Sequence, residues 1–203
     1  MVLIMSDVSR GTKAFSQRSQ SGYPGSFPVG FLKWVQDRWW GDRRLYLCAG
    51  GVIDEAADKV DIQTEISDEV LGRRGHNATT KRSRTLKTTA NIIADARDTG
   101  LPDNSYDWVM IDPPYSKSLA HDLYGTEEVF SDLNKFVDEG ARLCKPGGYV
   151  CVLAYDIPKK PQGFEIAAVW GIYQIPAVRY MTAFFVFKKW GEREAQGLQR
   201  FGV

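Results

Sequence analysis

Apolar positions recur along the chain in two rhythms. In residues 27–40, FPVGFLKWVQDRWW, Phe31, Trp34, Val35 and Trp39 fall three or four positions apart behind Pro28. That spacing predicts a helix with one aromatic face packed on a core. Val129, Phe130, Leu133, Phe136, Val137 and Leu143 repeat the spacing and predict a second helix over 126–144, stopped by Lys145-Pro146-Gly147-Gly148. Between these lie short apolar runs that read as buried strands, at 43–51 (ending in Gly50-Gly51), 59–66, 90–95, 106–112 and 149–155. No long helix fits between Tyr155 and Phe164, and a short Pro-containing turn separates the runs at 164–175 and 179–190. These last two are therefore expected as an antiparallel pair. Strands ending in Gly or Asp, alternating with helices, predict an α/β fold with an open, mostly parallel sheet. Such sheets bind ligands at the carboxyl ends of their strands, where Asp61 or Glu65, then Asp95, then Asp112 fall.

Composition narrows the picture. The 203 residues suit one domain, and 43% hydrophobic with 25% charged residues argues against global disorder. Lys and Arg number 26 against 25 acids, so no global charge draws a polyanion. Any nucleic-acid contact must be local. The obvious patch is 71–88, LGRRGHNATTKRSRTLKT, which carries Arg73, Arg74, Lys81, Arg82, Arg84 and Lys87 and no acid. It reads either as a solvated loop or as a phosphate-contacting one. Three cysteines without a CxxC pair predict no disulfide framework and no metal centre. No apolar stretch has the length of a signal-peptide core or a membrane span, so a cytoplasmic protein is expected. Residues 1–26 are expected as a flexible arm, 27–190 as a single domain interrupted by the basic stretch, and 191–203 as a tail.

Asp112-Pro113-Pro114-Tyr115 carries the most chemistry. Two prolines stiffen the backbone and remove two N–H donors, leaving carbonyl acceptors beside a carboxylate. An amino group, with hydrogens to donate, suits that site, and Tyr115 offers a flat face for a planar ring. No Pro-Cys dipeptide supports a cysteine nucleophile, and the cysteines read as core residues.

Around this motif the sequence resembles the class I S-adenosylmethionine-dependent methyltransferases, and within them the amino-methyltransferases of DNA acting on N6 of adenine or N4 of cytosine. The likeness spans roughly residues 24–190. FPVGFLKWV resembles the segment before the first strand, LYLCAGGV the Gly-rich first motif, and VDIQTE the acidic end of the second strand. IADARDTGLPDNSYDWVMIDPPYS resembles the stretch from the adenine-pocket acid through strand four to the catalytic loop, and ARLCKPGGYVCVL the following helix and strand. Two departures stand out. Val52 and Ile53 replace the usual small residues, and only ten residues separate Gly50 from Asp61.

The resemblance implies S-adenosylmethionine as methyl donor and S-adenosylhomocysteine as product. It places the cofactor against Phe27, Pro28, Cys48, Ala49, Gly50, Gly51, Asp95, Ala96 and Asp112, with Asp61 or Glu65 at the ribose. It implies direct transfer to an exocyclic amine held by Asp112 and the Pro113 carbonyl, with Pro114 stiffening the loop and Tyr115 stacking on a flipped base. Adenine in DNA is the leading substrate. An amine of an RNA base, or a degenerate fold that only binds, remain as alternatives. A compact stand-alone enzyme of this kind would suit a phage or mobile element.

Overall fold

Strands that are apolar on both faces need cover on both faces, and here each face receives a helix. The computed structural model describes residues 8–16, 27–62, 65–66, 86–114, 132–175 and 181–191. Its main sheet contains β1 (Ser9–Ser16), β2 (Arg44–Leu47), β3 (Asp58–Asp61), β6 (Ile92–Ile93), β7 (Tyr106–Ile111), β8 (Cys144–Ala154), β9 (Phe164–Ile175) and β10 (Thr182–Lys189). Their spatial order is β6-β3-β2-β7-β8-β10-β9-β1. Every neighbouring pair is parallel except the two made by β10, which runs antiparallel to both β8 and β9. The expected closing antiparallel pair is therefore present. A separate ribbon pairs β4 (Glu65–Ile66) with β5 (Leu86–Lys87).

Helix α1 (Phe31–Gln36) covers one face with Phe31, Trp34 and Val35, against Tyr46, Trp108, Met110, Cys151, Phe184 and Val186. Helix α2 (Leu133–Leu143) covers the other with Phe136, Val137 and Leu143, against Leu45, Leu47, Val109, Ile111, Val150, Phe185 and Phe187. Alternating residues of each strand thus serve opposite layers. In β7 the alternation slips between Tyr106 and Trp108, where the pairing with β8 is irregular and both Asp107 N–H and Trp108 N–H point at Arg43 O. The slip turns Trp108 to the α1 layer although Tyr106 faces α2.

Several expectations change. Residues 9–16, expected within a flexible arm, form a strand along β9. Phe15 packs edge-on against Phe31 at 5.5 Å and Trp34 at 5.8 Å, and Trp170 Nε1–H donates to Ser9 Oγ. Trp170 lies so close over Gly11 that a Cβ there would come within 2.8 Å of its ring. The strand at 59–66 divides into β3 and the ribbon strand β4, and the strand at 90–95 contracts to Ile92–Ile93. The first helix is shorter than its aromatic pattern: it starts after Gly30, whose φ of 85° is left-handed, and ends at Gln36, leaving Trp39 in the turn that follows. The second helix begins at Leu133, and Lys145–Gly148 continue β8 instead of forming a turn. Residues 126–131 and 192–203 lie outside the described residues.

Gly148 is what lets β8 begin so close to β7. A Cβ at this position would sit 2.7 Å from the Asp107 carbonyl oxygen and 2.9 Å from Cys144 Sγ. Gly148→Ala must displace backbone, and the expected cost is about 1–3 kcal/mol. Urea unfolding of the purified variant measures it.

Candidate functional site

The parallel strands β2 and β3 are joined by only ten residues, 48–57, too few for the usual crossover helix. Asp54 organises this short connection. Its carboxylate accepts both from Arg44 (Nε to Oδ2 and Nη2 to Oδ1, each 3.0 Å) and from the Tyr46 hydroxyl at 3.2 Å. The Lys59 ammonium donates to its backbone oxygen at 2.6 Å. Burial alone would raise the Asp54 carboxyl, but the Arg44 guanidinium outweighs it and holds the group below the usual carboxylate range. Burial together with the nearby Asp54 charge pushes the Tyr46 phenol far up, so it stays a donor.

The connection opens with a tight turn just past the end of β2. Cys48 and Gly50 both adopt left-handed φ values, 60° and 51°. For a non-glycine residue this conformation is uncommon and often marks a functional turn. Ala49 N–H donates to Val60 O, and Gly50 N–H to Asp61 Oδ2 at 3.1 Å. Asp61 ends β3, and its Oδ1 accepts from Ile62 N–H at 2.8 Å. Next to it, Ala94 N–H donates to Asp61 O, leading the chain from β6 into Asp95. Asp95 accepts from Arg97 through the backbone N–H, Nε and Nη2, at 2.5–3.1 Å. The hydrogen-bonded Arg97 keeps its carboxyl low. Asp112 follows β7, with its N–H directed at Leu47 O, the residue before the turn. It is half-buried, and Pro113 behind it is buried.

Three strand-end carboxylates thus gather around one turn. Their effect is visible in Cys48, whose thiol is pushed well up by burial and then by the charges of Asp61, Asp112 and Asp95. Glu65 lies in the β4–β5 ribbon opposite Lys87, so Asp61 is the acid that terminates β3. Ala96 is buried in the turn after Asp95, and Gly51 is buried after Gly50. Phe27 stacks on Phe31 at 5.3 Å, and Pro28 O receives the Phe31 N–H, both in the aromatic layer at α1. Cys144 and Cys151 are core residues as expected, whereas Cys48 belongs to the turn. Tyr115, Arg73, Arg74, Lys81, Arg82 and Arg84 lie outside the described residues, and Lys87 is exposed in β5.

Sequence reasoning missed Asp54, Arg97, Thr88 and Glu139. Arg97 stands two positions after Asp95 and Thr88 closes the basic run, but neither spacing announces its partner. Among the described residues no group of three His, Cys, Asp or Glu side chains could hold a metal ion, and no helix is long and apolar enough to cross a membrane.

A sheet in which β6-β3-β2-β7-β8-β10-β9 follow one another, with only β10 reversed and a glycine turn after β2, is the Rossmann-like fold of class I S-adenosylmethionine-dependent methyltransferases. The chain belongs to the methyltransferase domain family, whose model matches residues 48–152, just over half its length. Solved structures are similar at lower levels. One is yhhF from Escherichia coli, assigned as a methyltransferase (12% identity, 88% of this chain and 98% of that one, TM-score 0.49). Another is assigned as a type II methyltransferase from Anaeromyxobacter dehalogenans (18% identity, 68% and 51%, TM-score 0.36). A third is a SAM-dependent methyltransferase from Aquifex aeolicus (16% identity, 77% and 88%, TM-score 0.35). No curated protein matches the sequence.

S-adenosylmethionine is the methyl donor. It carries ribose hydroxyls, a purine amino group and a sulfonium cation, all of which call for acceptors or negative charge. The convergence of Asp61, Asp95 and Asp112 on the glycine turn fits that donor set.

The segment after Asp95 is tied to α2 by Glu139. Its Oε1 accepts from Thr99 N–H (2.8 Å) and Thr99 Oγ1 (2.6 Å), and Arg142 closes onto Glu139, Leu101 O and Asp103. Burial would raise the Glu139 carboxyl, but the Arg142 and Thr99 donors outweigh it and hold it below its ordinary 4.5. A depressed folded-state pKa gives stability that is present above the unfolded value and lost as pH falls through the folded one. Glu139→Gln is therefore expected to lower stability by about 1–3 kcal/mol at neutral pH. The gap to wild type should start to close below pH 4.5, which urea melts across that range will show.

Proposed function

We propose that the protein methylates an exocyclic amine of a nucleic-acid base, with N6 of adenine in DNA as its substrate. The observation that carries this reading is the position of Asp112-Pro113-Pro114. The carboxylate and two donor-free residues follow the central strand β7 directly beside the turn after β2.

An exocyclic amine is a poor nucleophile because its lone pair is delocalised into the ring. Asp112 and the Pro113 carbonyl accept its two hydrogens and hold the nitrogen toward a tetrahedral shape, freeing the lone pair. Pro113 and Pro114 keep that acceptor pair stiff, so little ordering entropy is lost when the amine arrives. Tyr115 stacks on the base, which must be single-stranded or flipped out. Asp61, Gly50, Gly51, Cys48, Ala49, Asp95 and Ala96 hold the cofactor, with Asp61 at the ribose hydroxyls and Asp95 toward the adenine amine. When bound, the cofactor would supply an electrophilic methyl group on sulfonium, and transfer to the amine would be direct, without a covalent enzyme intermediate.

Asp112→Ala is expected to abolish methylation while leaving affinity for S-adenosylhomocysteine within a few-fold of wild type. Nucleoside mass spectrometry of cells expressing each form tests both the role and the substrate. N6-methyldeoxyadenosine that appears with wild type and vanishes with Asp112→Ala supports the proposal. Methylated ribonucleosides in its place would move the substrate to RNA, and unchanged turnover in the variant would remove Asp112 from the reaction.

Phosphate contacts in this reading come from the basic run. Replacing Arg82, Arg84 and Lys87 by Ala is expected to weaken binding to a DNA duplex. The slope of log affinity against log salt should flatten by about one unit per lost contact. Fluorescence anisotropy from low to physiological salt reads it, and an unaltered slope would make the run a solvated loop.

A further inference from the structure

The glycine turn is gripped from outside by the residues that follow the β4–β5 ribbon. Thr88 Oγ1 lies 2.7 Å from Gly50 O and 3.2 Å from Asp61 Oδ2, while Gly50 N–H donates to the same Asp61 oxygen at 3.1 Å. The three groups close a small ring in which Gly50 offers its carbonyl to Thr88 and its N–H to Asp61. Ala90 N–H donates to the Thr88 hydroxyl at 3.2 Å and orients it. Thr89 binds the same turn through different atoms. Its N–H donates to Gly50 O at 2.9 Å, and its hydroxyl to Val52 O at 2.6 Å, with a longer contact to Gly50 O.

We propose that Thr88 is a positioning residue for the cofactor, setting the separation of the Gly50 turn and the Asp61 carboxylate. The inference rests on the reading that these two groups face the cofactor. A hydroxyl has a single hydrogen, and here it sits between a neutral carbonyl and an anionic carboxylate. That hydrogen is shared as a three-centre bond, short to the carbonyl and longer to the carboxylate, so the hydroxyl holds both without neutralising the acid. An alkyl side chain of the same shape would fill the space but leave Gly50 O, Asp61 Oδ2 and Ala90 N–H with one partner fewer. The consequence falls on binding more than on chemistry, because Thr88 acts through the groups at the cofactor and not through Asp112.

Calorimetric titration of the full chain with S-adenosylhomocysteine tests this. Thr88→Val is expected to weaken affinity about tenfold, the scale of a hydrogen bond to a charged group. The KM for the methyl donor should rise in step and kcat stay unchanged. Thr88→Ser, which restores the hydroxyl, and Thr89→Val, which leaves the Asp61 contact intact, should both stay within about threefold of wild type. Asp61→Asn is titrated alongside, and the double variant Thr88→Val, Asp61→Asn should lose no more than Asp61→Asn alone. Circular dichroism checks folding, and Thr88→Ala replaces Thr88→Val, with the same expected loss, if the latter does not fold. Wild-type affinity in Thr88→Val beside a weakened Asp61→Asn overturns the role of Thr88 alone. So does an equal loss in Thr89→Val, or a double variant whose losses multiply. Unchanged affinity in Asp61→Asn overturns the reading of the site and the role of Thr88 with it.

Discussion

Everything at the carboxyl end of this sheet depends on how ten residues cross from β2 to β3. A parallel connection normally spends a helix on that journey, and the helix buries the loop's polar backbone as it goes. Here the work falls to Asp54. Its side chain collects Arg44 and Tyr46 from the strand the chain has left, and its carbonyl collects Lys59 from the strand the chain is entering. Both partners of the Arg44–Asp54 pair are about nine-tenths covered. At that depth desolvation offsets much of the attraction, so the pair adds little net stability. Its effect is on path: with Asp54 fixed, the chain has one short route, and that route leaves Cys48 and Gly50 in left-handed conformations beside Asp61.

The electrostatics of the site follow from the topology. Each parallel strand delivers its last residue to the same edge, so acids placed at successive strand ends meet whether or not they attract one another. Three carboxylates in one place repel, and the fold relieves this unevenly. Arg97 neutralises Asp95 locally, while Asp61 accepts from the Gly50 and Ile62 N–H groups. The bracing behind this edge, from Glu139 through Arg142 to Asp103, lies on the far side of Asp95 and keeps the loop against α2.

Much of this was legible in the chain. The reversed final strand followed from two long apolar runs with too little between them for a helix, and the strand-end acids followed from runs that stop at Asp. The distinction between Asp61 and Glu65 was not legible, because VDIQTEI reads as one strand. The break after Asp61 comes from its side chain binding Ile62 N–H and Gly50 N–H, contacts with no signature in hydrophobic pattern. Strand β1 was missed for a related reason. SRGTKAFS is polar because it lies at a sheet edge, and its place is set by Phe15 and by Trp170 lying over Gly11, partners far away in sequence. Thr88 and Asp54 belong to the same class: their neighbours are created by the fold, so local propensity is blind to them.

That edge strand also lies far from its partner along the chain. Ser9 pairs with Ala168, 159 positions later, and 147 residues (17–163) lie between β1 and the strand that receives it. β1 precedes every other described strand, and its partner β9 follows the central strands β2, β3, β7 and β8 in the chain. Arg10 and Lys13, both exposed, give it the positive charge that discourages edge-to-edge pairing. The two basic residues thus guard the outer edge of the finished sheet.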